Sequence, residues 1–253
     1  MDTLRELSRF LHVILGFGGL IAFWIPAVAR KGGSLHRKAG KVFAFCAYGV
    51  FATSWLSCLI VFYKLQGMAE VDRRVLALIV FLFYLANVTF AMLHHGLAVL
   101  RSKNDVRKAR SPFSLVLAWG SAASSAGLLL FAVLYDNPMT MVLFALSPIG
   151  FGVAWDIFQY RRHAAEKRVW FYEHLKATLG AGIAFHTAFF VFGNQRMLDL
   201  SAYGWIGLLP WILPALIGVP ATKIWENRYR RRFGDLPSKR GAEAPSGSLG
   251  RAA

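Results

Sequence analysis

The residues able to do chemistry in this chain are few, and they fall at defined depths. His12, His36, His94, His95, Asp156, Glu173, His174 and His186 lie in or beside long apolar runs. Ionisable groups at membrane depth are costly and become functional candidates by default. Neutral imidazole nitrogen and carboxylate oxygen are good ligands for zinc and other divalent metals. Three histidines with Glu173 or Asp156 would suffice for a tetrahedral site, and an open position on the ion could activate water against a lipid head group. The candidate metal ligands are His36, His95, Glu173 and His174. His12, His95 and His174 are the candidate cofactor ligands, for a haem b held by imidazoles from facing helices. A competing reading is an interfacial layer in which His, Glu and Lys simply meet head groups and water. Glu173 at a helix start is favourable through the helix dipole alone.

Helix geometry narrows these sets. His94 and His95 point about 100° apart, so one of them faces inward. His95, followed by Gly96, has room beside it and is the expected inward residue. A two-level haem arrangement would pair His12 with His186 and His95 with His174. Against it, His174 and His186 are separated by twelve residues, which turns them about 120° apart on one helix. His163 sits in a basic loop and is expected to be solvated. The chain has no Gly-rich phosphate loop, no Gly-x-Ser-x-Gly elbow and no Cys-x-x-Cys. It also lacks the late-helix His-x-x-x-His pair of seven-helix zinc amidases. Cys46 and Cys58, twelve residues apart in one run, cannot bridge each other on a helix and read as buried small hydrophobes.

The elements that must position these groups are membrane helices. The 253 residues are 56% apolar and only 17% charged, against roughly 25% charged in soluble domains. A spanning helix needs about 20 mostly apolar residues. Seven runs approach or meet this: 10–29, 42–63, 75–100, 113–135, 139–158, 169–193 and 200–222. Barrel strands are about ten residues long and alternate in polarity, and these runs do neither. The expected fold is an all-α integral membrane bundle of seven transmembrane helices over residues 1–233, followed by a disordered cytoplasmic tail over 234–253. The first run is not expected to be a secretory signal, because its leading segment with Asp2, Arg5, Glu6 and Arg9 is neutral overall.

Net charge is +16, and its distribution is uneven. Of the 29 Lys and Arg, 22 lie in the first, third and fifth connections and the tail, and six lie on the other side. By the positive-inside rule the amino terminus is outside and the carboxyl terminus cytoplasmic, as an odd number of crossings requires. The cationic face then lies against anionic phospholipid head groups of the inner leaflet. Nucleic acid is not an expected partner, since the cluster Arg228–Arg232 directly follows a membrane helix. Asp136-Asn137-Pro138 reads as a tight turn between the fourth and fifth helices. Gly16 and Gly19 in the first run, and Gly180 and Gly182 in the sixth, predict close packing of those two helices.

Several segments carry a family resemblance. His12-Val13-Ile14-Leu15-Gly16 and Arg30-Lys31-Gly32-Gly33-Ser34-Leu35-His36-Arg37-Lys38-Ala39-Gly40 resemble bacterial membrane proteins grouped as domain of unknown function 2306. His95-Gly96-Leu97, Glu173-His174, Leu179 to Ala184, Thr187-Ala188-Phe189 and Trp211-Ile212-Leu213-Pro214, leading to Tyr229 through Phe233, are similar to seven-helix members near that group. The resemblance implies an integral protein of a bacterial cytoplasmic membrane without an assigned activity, and it supplies no catalytic residue. A non-enzymatic carrier, lipid-binding protein or assembly partner without a metal is the alternative function.

Overall fold

The computed structural model describes residues 2–68, 70–103, 105–193 and 209–235. They form α1 (Asp2–Val28), α2 (Ser34–Leu65), α3 (Arg73–Ser102), the short α4 (Val106–Ala109), α5 (Pro112–Leu134), α6 (Thr140–Leu146), α7 (Pro148–His163), α8 (Val169–Ala188) and α9 (Leu209–Phe233). A π-helical turn, Phe189–Gly193, continues α8. No strand occurs among the described residues. Six helical segments are long and apolar enough to cross a membrane: Thr3–Val28, Ser34–Leu65, Arg73–Ser102, Arg107–Leu134, Thr140–His163 and Val169–Gly193. This is the build of a multi-pass membrane protein, since a helix satisfies its own backbone groups in a medium that offers no partners. The expected seventh run begins at Leu200, and its first residues lie outside the described ones, as does the predicted tail beyond Asp235. The described part, α9, packs on α8.

Local chemistry sets the helix ends. The Asp72 carboxylate caps α3 by accepting from the Arg74 N–H at 2.8 Å, and Ser111 caps α5 with Pro112 in its first turn. Asn137 folds the predicted turn, its side-chain oxygen accepting from the Met139 N–H at 2.9 Å. The fifth run is broken where Pro148 removes a donor and frees the carbonyl of Phe144. The Ser147 hydroxyl donates to that carbonyl at 3.1 Å. The Tyr84 hydroxyl donates to the carbonyls of Leu146 (2.8 Å) and Ser147 (3.1 Å). Thus α3 supplies the groups that make the break tolerable in hydrocarbon.

Two helices, α3 and α8, form the centre. α3 touches α2, α5, α7 and α8, while α8 touches α1, α3, α7 and α9. Large apolar side chains such as Ile21, Phe45, Leu134 and Met141 cover the outer surface, as a lipid-facing wall requires. The predicted glycine packing of α1 on α8 is found only in part. A Cβ on Gly182 would strike the Phe23 ring of α1, and Gly19 faces Cys46 and Phe185. Gly180 instead faces Met92 of α3, and Gly16 faces open space. The main partner of α1 is its chain neighbour α2.

The α1–α2, α3–α5 and α7–α8 connections and the carboxyl end of α9 meet at one end of the bundle, hereafter the basic end. Lys31 lies over the Trp225 ring at 5.4 Å. Arg110 Nε donates to the Arg161 carbonyl at 3.3 Å. Arg168 pairs with Asp235 at 2.7 Å.

Candidate functional site

Near the basic end, α3, α7 and α8 bring four ionisable side chains together. His95 Nε2 of α3 donates to Glu173 Oε1 of α8 at 3.2 Å, both residues being buried. The second oxygen of Glu173 meets Lys176 Nζ at 3.0 Å, one turn along α8. Lys176 Nζ also meets Asp156 Oδ1 of α7 at 2.8 Å. Tyr160, one turn beyond Asp156, lays its ring edge-on against His95 with centroids 5.3 Å apart. Its hydroxyl is anchored by Ser102 Oγ at 2.6 Å.

This chain of charges has an open side. A cavity of about 460 Å³ between α7, α8 and α9 reaches Glu173 and Lys176. Its rim carries Tyr172, Lys223, Glu226 and Arg230. Glu226 holds Arg230 Nε at 2.8 Å and Lys223 Nζ at 3.4 Å, and the Arg230 guanidinium lies 4.0 Å over the Tyr172 ring. The Tyr172 hydroxyl donates to Asp235 Oδ2 at 2.6 Å. That hydrogen bond first, and the Arg168 guanidinium beside it, hold the Asp235 carboxyl below its usual pKa.

The other predicted residues are drawn elsewhere. Gly96 lets α8 lie close on α3, since a Cβ there would come within 2.8 Å of Ala177 Cβ. His174 Nδ1 accordingly donates to the Gly96 carbonyl at 2.7 Å. His36 Nδ1 donates to the Pro26 carbonyl at 3.0 Å, and the His36 and His174 rings stand edge-on with centroids 6.5 Å apart. Beside them Lys31 Nζ donates to the carbonyls of Pro26 (2.8 Å) and Ala27 (2.7 Å). Burial lowers the pKa of its amine.

The set of His36, His95, Glu173 and His174 is therefore split into two pairs, His95 with Glu173 and His36 with His174. The reason is angular, since Glu173 and His174 are adjacent and project about 100° apart. Among the described residues, no group of three or more His, Cys, Asp or Glu is placed to hold a metal ion. His12 sits apart on α1, its Nδ1 donating to Thr53 Oγ1 at 3.1 Å. His186 is saturated, with Nδ1 donating to the Gly182 carbonyl at 2.7 Å and Nε2 accepting from Trp24 Nε1 at 3.1 Å. His94 bonds the Tyr48 hydroxyl at 3.0 Å and is less buried than His95, as the glycine neighbour implied.

Tyr160 and Lys176 are the site residues that sequence reasoning left out of its candidate sets. The signal for Lys176 was its i,i+3 spacing from Glu173 inside an apolar run. The signal for Tyr160 was its position one turn after Asp156. The chain matches no family model, no curated protein and no solved structure.

Proposed function

We propose that this chain is a membrane carrier for a small polar solute bearing a positive charge, received at the Glu173 and Asp156 carboxylates. In this reading the chain crosses a bacterial cytoplasmic membrane seven times, with the amino terminus outside and the carboxyl terminus in the cytoplasm. The basic end is then the cytoplasmic face, against anionic head groups. The resemblance to proteins of the domain of unknown function 2306 type is consistent with this placement.

One observation carries the reading: the cluster His95–Glu173–Lys176–Asp156 sets two carboxylates against one ammonium and faces a cavity. One further positive charge brings it to neutrality. The cationic group of a solute can supply that charge. Lys176 bridges the two carboxylates, and Glu166, which lines the same cavity, can meet a second ammonium on the solute. The cavity volume lies in the range of small-molecule sites.

The test is calorimetric titration of the purified full chain with putrescine and, separately, succinate. Putrescine should bind and succinate should not, and Glu173→Gln should abolish binding. Preferential binding of succinate, or no binding of putrescine, would sink the reading.

A second reading keeps a metal or haem b at the other pair. Both Nδ1 atoms of His36 and His174 are committed to backbone carbonyls. Among the described residues neither Nε2 has a hydrogen-bond partner, the arrangement typical of ligating imidazoles. Metal analysis and a visible spectrum of natively purified protein decide it. A bound ion or a Soret band lost in His174→Ala is the expected result, and their absence in the unaltered protein ends this reading.

A further inference from the structure

A second cavity at the basic end has a different character. It measures about 270 Å³ and is lined by Arg110, Phe158, Arg161 and Arg162. None of these four residues is acidic. In the cavity over Glu173, by contrast, Lys176, Lys223 and Arg230 each meet a carboxylate. Arg161 is pre-set, one guanidinium nitrogen donating to the Ser111 carbonyl at 2.8 Å and to the Ser114 hydroxyl. Arg110 is tied to the carbonyl of Arg161. Three arginines border this one small cleft, whose own wall is almost wholly apolar. A planar fork of N–H donors suits the paired oxygens of a phosphate.

The cleft also has an apolar floor. Phe158 of α7 packs edge-on against Trp119 of α5 with centroids 5.5 Å apart. Val116, Trp119, Phe151 and Trp155 are all exposed on the same two helices. Each is set back from the arginines along its own helix, and Trp119 meets Phe158 across the two. We propose that this cleft seats the phosphate of an anionic phospholipid, with the acyl chains lying along the α5–α7 seam. Free phosphate would use the arginines and leave the aromatic strip without a role, whereas a phospholipid engages both. Basic pockets between membrane helices are a recurrent seat for such head groups.

Native mass spectrometry of the full chain in detergent tests this with three probes: phosphatidylglycerol, phosphatidylcholine and inorganic phosphate. Phosphatidylglycerol should be retained about tenfold more strongly than phosphatidylcholine. The double variant Arg110→Gln/Arg162→Gln, which alters two exposed side chains, should lower that retention about tenfold. Lys103→Gln/Lys108→Gln removes the same charge from the same end outside the cleft and should change it less than about twofold. Trp119→Gln should weaken the lipid and leave phosphate unaffected. Equal losses in the two double variants would overturn the proposal in favour of general surface charge. Displacement of the lipid by equimolar inorganic phosphate would overturn it in favour of a simple anion site.

Discussion

At the start of α8, Glu173 and Lys176 share charge with His95 of α3 and Asp156 of α7. Later in the same helix, His186 completes its hydrogen bonds with its own Gly182 and with Trp24 of α1. The two regions differ in what holds their polar groups. Around Glu173 each charge depends on the next, so removing one strands the others. Around His186 the ring is a neutral donor and acceptor, and packing of Phe23 against Phe43, Trp24 and His186 supplies the cohesion. A neutral imidazole with both nitrogens engaged has no spare capacity for a ligand. The ionic cluster, short of one positive charge and open to a cavity, does.

Four perturbations break or sharpen this contrast. Glu173→Ala should have the largest effect, about 3 kcal/mol of lost stability, because it leaves His95 and Lys176 without their shared carboxylate. Chemical unfolding in mixed micelles measures it. Glu173→Gln/Lys176→Met/Asp156→Asn, which removes all three charges, should recover much of that loss. If the single and triple variants are equally unstable, interdependence of the charges is the wrong account. In the other region Gly182→Ala should cost about 2 kcal/mol, since its Cβ would overlap the Phe23 ring, and Phe23→Leu beside it should relieve the strain. His186→Ala should cost only about 0.6 kcal/mol, the usual size of a hydrogen bond between membrane helices, and should leave putrescine binding unchanged.

The smallest effect concerns pH. The Asp235 carboxyl sits below its ordinary pKa, so its contribution to docking α9 on α8 is fully present above about pH 4. It is lost as pH falls through the depressed value. Hydrogen exchange at the carboxyl end of α9, corrected for intrinsic rates, should accelerate only in that acid range. Asp235→Asn should show the fast exchange already at pH 7.

Much of the bundle was legible from residue order. Six of the seven apolar runs reappear as helices fit to span a membrane, because length and lack of charge are what hydrocarbon demands of each segment separately. The turn at Asn137 followed from local side-chain chemistry, and the inward choice of His95 over His94 from its glycine neighbour. The break before Pro148 was hidden inside an apolar run, since its tolerance depends on Tyr84 from another helix. The glycine pairing of α1 and α8 was half legible: Gly182 meets Phe23, but Gly180 serves α3. At the site, the shared end of the bundle was readable and partnership was not. His95, Glu173 and His174 do share one end of the bundle, yet His95 took Glu173 and His174 took the Gly96 carbonyl and the His36 ring.

The sequence by itself determined which segments are helical, which are fit for lipid, and which ionisable residues share one end of the bundle. Each of these is a sum over neighbours along the chain. The rotation of α3, α7 and α8 about their own axes was decided only by tertiary packing. That rotation selected the His95–Glu173–Lys176–Asp156 chain, left His36 facing His174, and gathered Arg110, Arg161 and Arg162 around one cleft. The physical reason is that a helix presents several faces of similar polarity. Which face turns inward is settled by the fit of side chains on other helices, such as Gly96 against Ala177, and no single segment contains that information.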